Sequence, residues 1–109
     1  MEPSVERRKH PRYLGRFKSI FSTDAVRIAD GLVLNLSLGG CRLTSSTHVP
    51  SGMPIKLHIQ PDPSSPIYIS IFSAVVCWEG DAVFGLAFKE LQELESATLT
   101  HLLWTLRRA

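Results

Sequence analysis

For most of its length this chain places its apolar residues at every second position. From Leu91 onward they fall every third or fourth instead. A period of two belongs to a strand with one buried face, and a period near 3.6 belongs to a helix. Ile55-Lys56-Leu57-His58-Ile59 is a clean case of the first, with the apolar residues on one side. Tyr13 to Phe21 alternates more loosely. In Cys41-Arg42-Leu43-Thr44, Cys41 and Leu43 share one face and Arg42 and Thr44 the other. Ile67 to Trp78 is β-branched and aromatic, which suits a strand buried over much of its length. Val83 to Phe88 returns the chain, with Gly85 marking a bend or close packing.

Turn signals separate these runs. Asp30-Gly31 lies between Val26-Arg27-Ile28 and Leu32-Val33-Leu34-Asn35-Leu36, and Asp-Gly flanked by apolar runs predicts a hairpin. Ser45 to Pro54 is rich in Ser, Pro and Gly. Pro61-Asp62-Pro63-Ser64-Ser65-Pro66 reads as a loop, and Glu79-Gly80-Asp81 as a turn. Short strands divided in this way imply a barrel or a sandwich. In the last segment Leu91, Leu94, Thr98, Leu102 and Leu106 line one side of a predicted helix, with Leu99 and Leu103 beside them. Glu90, Glu93 and Glu95 gather at its start and Arg107-Arg108 at its end, which complements the helix dipole. Trp104 is expected to pack against the core or its rim, with contact to a partner as the alternative.

At 109 residues the chain is expected to form one domain, and 44% hydrophobic residues allow a modest core. The division expected is a basic arm over 1–12, strands over 13–89 and a helix over 90–107. Net charge is only +2, so bulk attraction to nucleic acid is not indicated. The distribution is more telling. Six of the twelve Lys and Arg residues (Arg7, Arg8, Lys9, Arg12, Arg16 and Lys18) fall in the first 18 positions. A basic arm on a near-neutral body points to a localised anion site. Cys41 and Cys77 sit in apolar runs without metal-ligand spacing and are expected to be small buried residues of a reducing compartment. No run reaches the length of a membrane span, and the first residues lack a signal-peptide core, so a cytoplasmic location is expected. Without such a signal the sequon Asn35-Leu36-Ser37 carries no weight.

Two local patterns carry chemistry. The first is Arg7-Arg8-Lys9-His10-Pro11-Arg12. His10-Pro11 favours extended backbone and opposes a helix through the arginines. In an extended arm Arg8 and Arg12 point the same way, roughly 13 Å apart at ~3.3 Å per residue. Forked guanidiniums grip phosphates or the O6/N7 edge of guanine and stack on purine faces. The bland alternative is a solvated basic tail. The second pattern is Asn35-Leu36-Ser37-Leu38-Gly39-Gly40. Alternation puts Asn35 and Ser37 on one face and Leu34, Leu36 and Leu38 toward the core. The amide and hydroxyl can bind a base edge or a phosphate, and Gly39-Gly40 permits a sharp turn and close approach to backbone. The bland alternative here is an ordinary turn whose Asn and Ser serve the local backbone.

In order and at this separation, Arg8-x-x-x-Arg12 and Asn35-x-Ser37-x-x-Gly40 resemble the paired signature of the bacterial PilZ domain. The Leu38-Gly39-Gly40-Cys41-Arg42-Leu43 continuation and Trp78…Phe84-Gly85-Leu86-Ala87-Phe88 are similar to it as well. The resemblance implies a six-stranded antiparallel β-barrel of split-barrel type with a C-terminal helix, and cyclic di-GMP as ligand. It implies that Arg8 and Arg12 contact phosphate and guanine from the arm. Asn35 and Ser37 would meet the ligand from the barrel, with Gly40 letting a base approach the backbone and Gly39 beside it. Arg7 would add a third guanidinium, able to hold a second, stacked ligand molecule. The arm would be mobile when free and ordered when bound, and a downstream protein partner would read the change.

Two rival readings use the same barrel: a ligand-independent interaction adaptor, and a single-strand nucleic-acid binder. The second needs exposed aromatics on one sheet face. Aromatic content is 8%, and Phe72, Phe84 and Phe88 are expected in the core. DNA, RNA and membrane insertion are therefore not expected. Enzyme function is not expected either, since no nucleophile elbow, metal-spaced His pair or Walker loop is present. His10, His48, His58 and His101 are scattered, Asp30, Asp62 and Asp81 fall in turn contexts, and no cofactor is implied.

Overall fold

The structure, a computed structural model, describes residues 10–24 and 28–106. Within them run β1 (Tyr13–Ser22), β2 (Ala29–Leu36), β3 (Gly40–Thr44), β4 (Pro54–Ile59), β5 (Ile69–Glu79), β6 (Val83–Phe88) and α1 (Glu93–Trp104). All strand pairs are antiparallel. The order is β1-β2-β3-β6-β5-β4, and pairing of β1 with β4 closes the sheet into a barrel. Inside lie Phe17, Phe21, Val33, Leu36, Leu43, Leu57, Ile59 and Ile71, all buried. Phe21 and Phe84 meet edge to face at 5.6 Å between ring centres. Fully burying side chains of this size contributes about 1.5–3 kcal/mol each. No helix among the described residues is long and apolar enough to cross a membrane.

The six strands and the terminal helix are as expected, but several side chains and boundaries are not where alternation puts them. Bulges are the main cause. In β2, Val33 pairs with Leu43 and Asn35 with Arg42, so the extra residue shifts the phase of the strand. Leu34, expected in the core, is only half buried, while Val33 and Leu36 are fully buried. In β5, Leu57 pairs with Ile71 but Ile55 with Ala74. Phe72 is 57% exposed, contrary to the core position expected of it, because Ile71 before it points inward and alternation turns Phe72 out. Beyond the bulge Ala74 and Val76 face inward, so Cys77 faces out and the two cysteines differ: Cys41 is buried and Cys77 exposed. A second bulge between Val76 and Trp78 leaves Trp78 on the outer face as well.

Asp30-Gly31 does not form a hairpin turn but lies inside β2, with Ile20 opposite Asp30 and Ser19 opposite Gly31. The glycine is a packing residue. A Cβ there would come within 3.0 Å of Leu43 Cδ1. The β1–β2 connection falls instead between Ser22 and Ala29, and Val26 and Arg27 of the expected strand lie outside the described residues. The turn expected at Glu79-Gly80-Asp81 is present, and Ala82 completes it with φ of 56°.

The helix is shorter than the expected 90–107. Gln92 is still extended at ψ of 160° and serves as its N-cap. Glu95, Leu99, Leu102 and Leu103 face inward, whereas Leu94 and Trp104 are 74% and 83% exposed. Trp104 therefore packs neither in the core nor on its rim. Arg107 and Arg108 lie outside the described residues.

Glu95 fastens the helix to the barrel. One carboxylate oxygen accepts the Gln92 N–H at 2.6 Å, capping the helix. The other accepts the Phe72 N–H at 3.1 Å, in the stretch of β5 where the bulge interrupts the ladder. Removing the carboxylate strands a part-buried donor, at a cost of about 1–3 kcal/mol. Glu95→Ala is therefore expected to lower the thermal midpoint by several degrees, and Glu95→Gln by less, in a calorimetric melt. An unchanged midpoint in the alanine variant would show that apolar packing alone holds the helix.

Candidate ligand-binding site

The β2–β3 turn is held from within by Ser37. Its Oγ accepts the N–H groups of Gly39 and Gly40, both at 3.1 Å, and donates to the Gly40 carbonyl at 3.2 Å. The Ser37 N–H also reaches the Gly40 carbonyl, at 2.9 Å. The hydroxyl is thus buried and engaged with local backbone. Gly40 is required by the neighbouring strand: a Cβ there would run into the Leu86 carbonyl of β6. Gly39 supports the base of the arm, because a Cβ would come within 2.9 Å of the His10 ring. The Gly39 carbonyl accepts the Phe88 N–H at 2.9 Å.

Beside this turn the register aligns a row across the outer barrel surface. Asn35 on β2 is opposite Arg42 on β3, Arg42 is opposite Gly85 on β6, and Gly85 is opposite Trp78 on β5. Gly85 leaves room for the indole, since a Cβ there would collide with the Trp78 ring. A cross-strand aromatic lying over a glycine packs apolar area without a rival side chain. Trp78 remains 43% exposed.

The row and the turn line one open hollow of about 250 Å³, which Arg12 and His10 border from the arm side. Among the described residues no Asp or Glu lines it, while Arg12 and Arg42 both do. Two guanidiniums without a carboxylate make a site for anions. Asn35, half buried, has no hydrogen-bond partner for its amide among the described residues and can serve a ligand. Cys41 and Cys77 also line the hollow. Burial first, and the neighbouring Cys77 second, push the Cys41 thiol pKa far up, so it enters the wall as a neutral group. The Cys77 thiol lies 3.4 Å from the Gly85 carbonyl and donates to it.

Of the residues expected to bind ligand, Arg12, Asn35, Ser37, Gly39 and Gly40 come together around this hollow. Arg7 and Arg8 lie outside the described residues. Arg42, Trp78 and His10 were not assigned to the site by sequence, although each lines it. Arg42 carried a signal in its outward phase between Cys41 and Leu43. Trp78 did not, because a bulge decides its side. Chemically, the hollow offers cations for phosphate, a flat aromatic for a planar ring, and an amide for a polar ring edge.

The family model for the PilZ domain matches residues 6–103. A search of the curated proteins finds no match to this chain. Among solved structures, the PilZ domain of CeSA from a cellulose-synthesizing bacterium is similar at 12% identity and TM-score 0.67, covering 85% of this chain and 94% of that one. The PilZ domain of YcgR from Escherichia coli, solved with c-di-GMP, is similar at 14% identity and TM-score 0.71, covering 92% and 91%. The Bacillus subtilis inhibitor of motility, MotI/DgrA, is similar at 19% identity and TM-score 0.72. That match covers 95% of this chain but 55% of the other, so the chain spans about half its length. At these identities the likeness establishes the fold, and the family match over residues 6–103 establishes descent: this closed barrel with its terminal helix belongs to the PilZ domain family.

Proposed function

We propose that this domain is a receptor for cyclic di-GMP, a non-enzymatic binding module of the cytoplasm. The supporting observation is the convergence of Arg12, Arg42, Asn35 and Trp78 on one hollow free of carboxylates. A cyclic dinucleotide carries two phosphates and two guanines, and those side chains suit both. In this reading Arg12 and Arg42 pair with phosphate or with a guanine O6/N7 edge. Trp78 offers a face for a purine, and the Asn35 amide meets a base edge. The N–H groups of Gly39 and Gly40 are already taken by Ser37, so ligand charge falls to the guanidiniums. Arg7 and Arg8 join them from the arm, which closes over the ligand and changes a surface that a protein partner reads.

Calorimetric titration with cyclic di-GMP, with GTP and linear di-GMP as controls, tests the reading directly. Arg8→Ala and Arg12→Ala are each expected to cost about 2–5 kcal/mol of binding free energy while leaving the fold intact. Unaltered affinity in either variant would remove that arginine from the clamp. The same titration reads stoichiometry: two ligands per chain, falling toward one in Arg7→Ala, is the outcome expected if Arg7 holds a stacked second molecule.

Asn35 and Ser37 should separate. Asn35→Ala is expected to weaken binding with the folding free energy changed by no more than ~0.5 kcal/mol. Ser37→Ala frees the Gly39 and Gly40 amides in the turn, so it should lower the thermal midpoint as well as the affinity, by about 1–3 kcal/mol in stability. Parallel melts and titrations decide; a Ser37→Ala protein as stable as the parent would show that the turn holds without its hydroxyl.

Trp78 supplies an optical test. In a Trp104→Phe background it is the only tryptophan. Its emission is expected to change in proportion to bound cyclic di-GMP, and Trp78→Ala should weaken binding by about 1–3 kcal/mol, the usual range for base stacking. Emission that stays constant through saturation would exclude contact between the indole and the ligand.

A further inference from the structure

Cys77 and Trp78 are successive residues of β5, yet both face outward, because the bulge between Val76 and Trp78 suspends alternation there. A regular strand with Trp78 outside would hold Cys77 in the core. Instead an exposed thiol stands next to the indole, on the wall of the ligand hollow. Arg12 and Arg42, both exposed, line the same hollow, and among the described residues no Asp or Glu does. An accessible sulfur and a surface that attracts anions thus meet at one place.

The two cysteines are not equivalent. Cys41 borders the hollow too, but it is only 8% exposed and has no hydrogen-bond partner among the described residues. Burial holds its thiol pKa far up, so it stays protonated and unreactive. Nor can the two sulfurs join. Cys41 is opposite Leu86 of β6, and Val76, the neighbour of Cys77, is opposite Leu86 from the other side. Two strand spacings put them roughly 9.5 Å apart at ~4.8 Å per strand, beyond the ~7 Å reach of a disulfide. Cys77 Sγ lies 3.4 Å from the Gly85 carbonyl, a weak contact that a reacting sulfur can give up.

We propose that Cys77 is a thiol–disulfide exchange site selective for small disulfides that carry carboxylates, and that the adduct it forms fills the ligand hollow. The Cys77 thiolate attacks one sulfur of the incoming disulfide. A bond forms between the two sulfurs, the reagent's own S–S bond breaks, and the thiol proton ends on the departing half. Cys77 is oxidised and the departing half is reduced, so the disulfide itself is the oxidant. Arg12 and Arg42 draw the anionic reagent in and then hold the carboxylates of the half that remains. That half lies beside Trp78, on the surface proposed above for cyclic di-GMP. The competition with ligand rests on that reading, whereas the exchange does not. Occupancy of the hollow then follows the thiol–disulfide balance around the protein, and excess thiol reverses it.

Exchange rates with glutathione disulfide, which is anionic, and with cystamine, which is cationic, test the proposal. Intact mass reads the rates and peptide mapping places the adduct. The same two rates on the urea-unfolded chain correct for the intrinsic reactivity of each reagent. The folded protein is expected to favour the anionic reagent by at least about tenfold more than the unfolded chain does, with the adduct on Cys77. Salt at about 1 M should remove most of that preference. Arg42→Gln should reduce it, and Arg12→Gln in addition should reduce it further. The adduct should lower cyclic di-GMP affinity by at least about tenfold. Dithiothreitol should restore the affinity, and Cys77→Ser should make treatment without effect. Equal preference in the folded and unfolded protein overturns the proposal, as does an adduct on Cys41. A preference that survives loss of both guanidiniums overturns it too. Full ligand affinity in the adduct overturns the filling of the hollow. If the unmodified protein binds no cyclic di-GMP, the receptor reading fails, and the charge preference still decides the exchange.

Discussion

Closure of the sheet between β1 and β4 is the constraint on which the rest of this structure depends. A closed barrel has no exposed sheet edge, so every strand carries neighbours on both sides. Each side chain then points either into a crowded interior or out to the surface. Strand β1 makes the closure and also continues backward into the segment that borders the ligand hollow. The hollow is therefore anchored to the strand that seals the core. Its far wall, β6 and β5, belongs to the same continuous ladder, so the separation between Asn35, Arg42 and Trp78 is fixed by hydrogen-bonded register and not by loop packing, while Arg12 sits just before the first paired residue of β1.

Much of this was legible from residue order. The β4 strand shows its alternation openly, the turn at Glu79-Gly80-Asp81 was marked by its residues, and the change of period at Leu91 announced the helix. Alternation failed where a bulge intervened. A bulge adds a residue without a distinctive residue type, and everything beyond it changes side. Cys77 moved outward for that reason, and Leu34 lost its place in the core. Phe72 instead follows plain alternation from the buried Ile71, which its apolar character concealed. Asp30-Gly31 misled differently. The pair has the chemistry of a turn, but here the glycine is present because Leu43 occupies the space a side chain would need. Only the neighbouring strand reveals that, and the neighbour is not adjacent in sequence.

The site was legible in part for a related reason. Asn35, Ser37, Gly39 and Gly40 are close in sequence, so a short pattern exposes them. Arg42 and Trp78 reach the same hollow from other strands, and their meeting is a property of register. The glycines also turn out to have local duties. Gly40 admits the Leu86 carbonyl and Gly39 admits the His10 ring, so both shape the hollow whatever enters it. Ser37 does the same through the turn amides. A pattern that marks a ligand site can thus be composed largely of residues that hold its walls.

Glu95 gives the terminal helix a fulcrum. Its carboxylate pins the first turn to β5 through directed bonds, while among the described residues the far end rests on apolar contacts. The helix is a lever about 18 Å long, fixed at one end and cushioned at the other. Its cushioned end lies beside His10 and Pro11, and His10 also borders the ligand hollow. A slight rocking about Glu95 would carry Trp104 through a far wider arc than Glu93. Any displacement at the root of the arm would in that way be geared up before it reached the outer surface of the molecule.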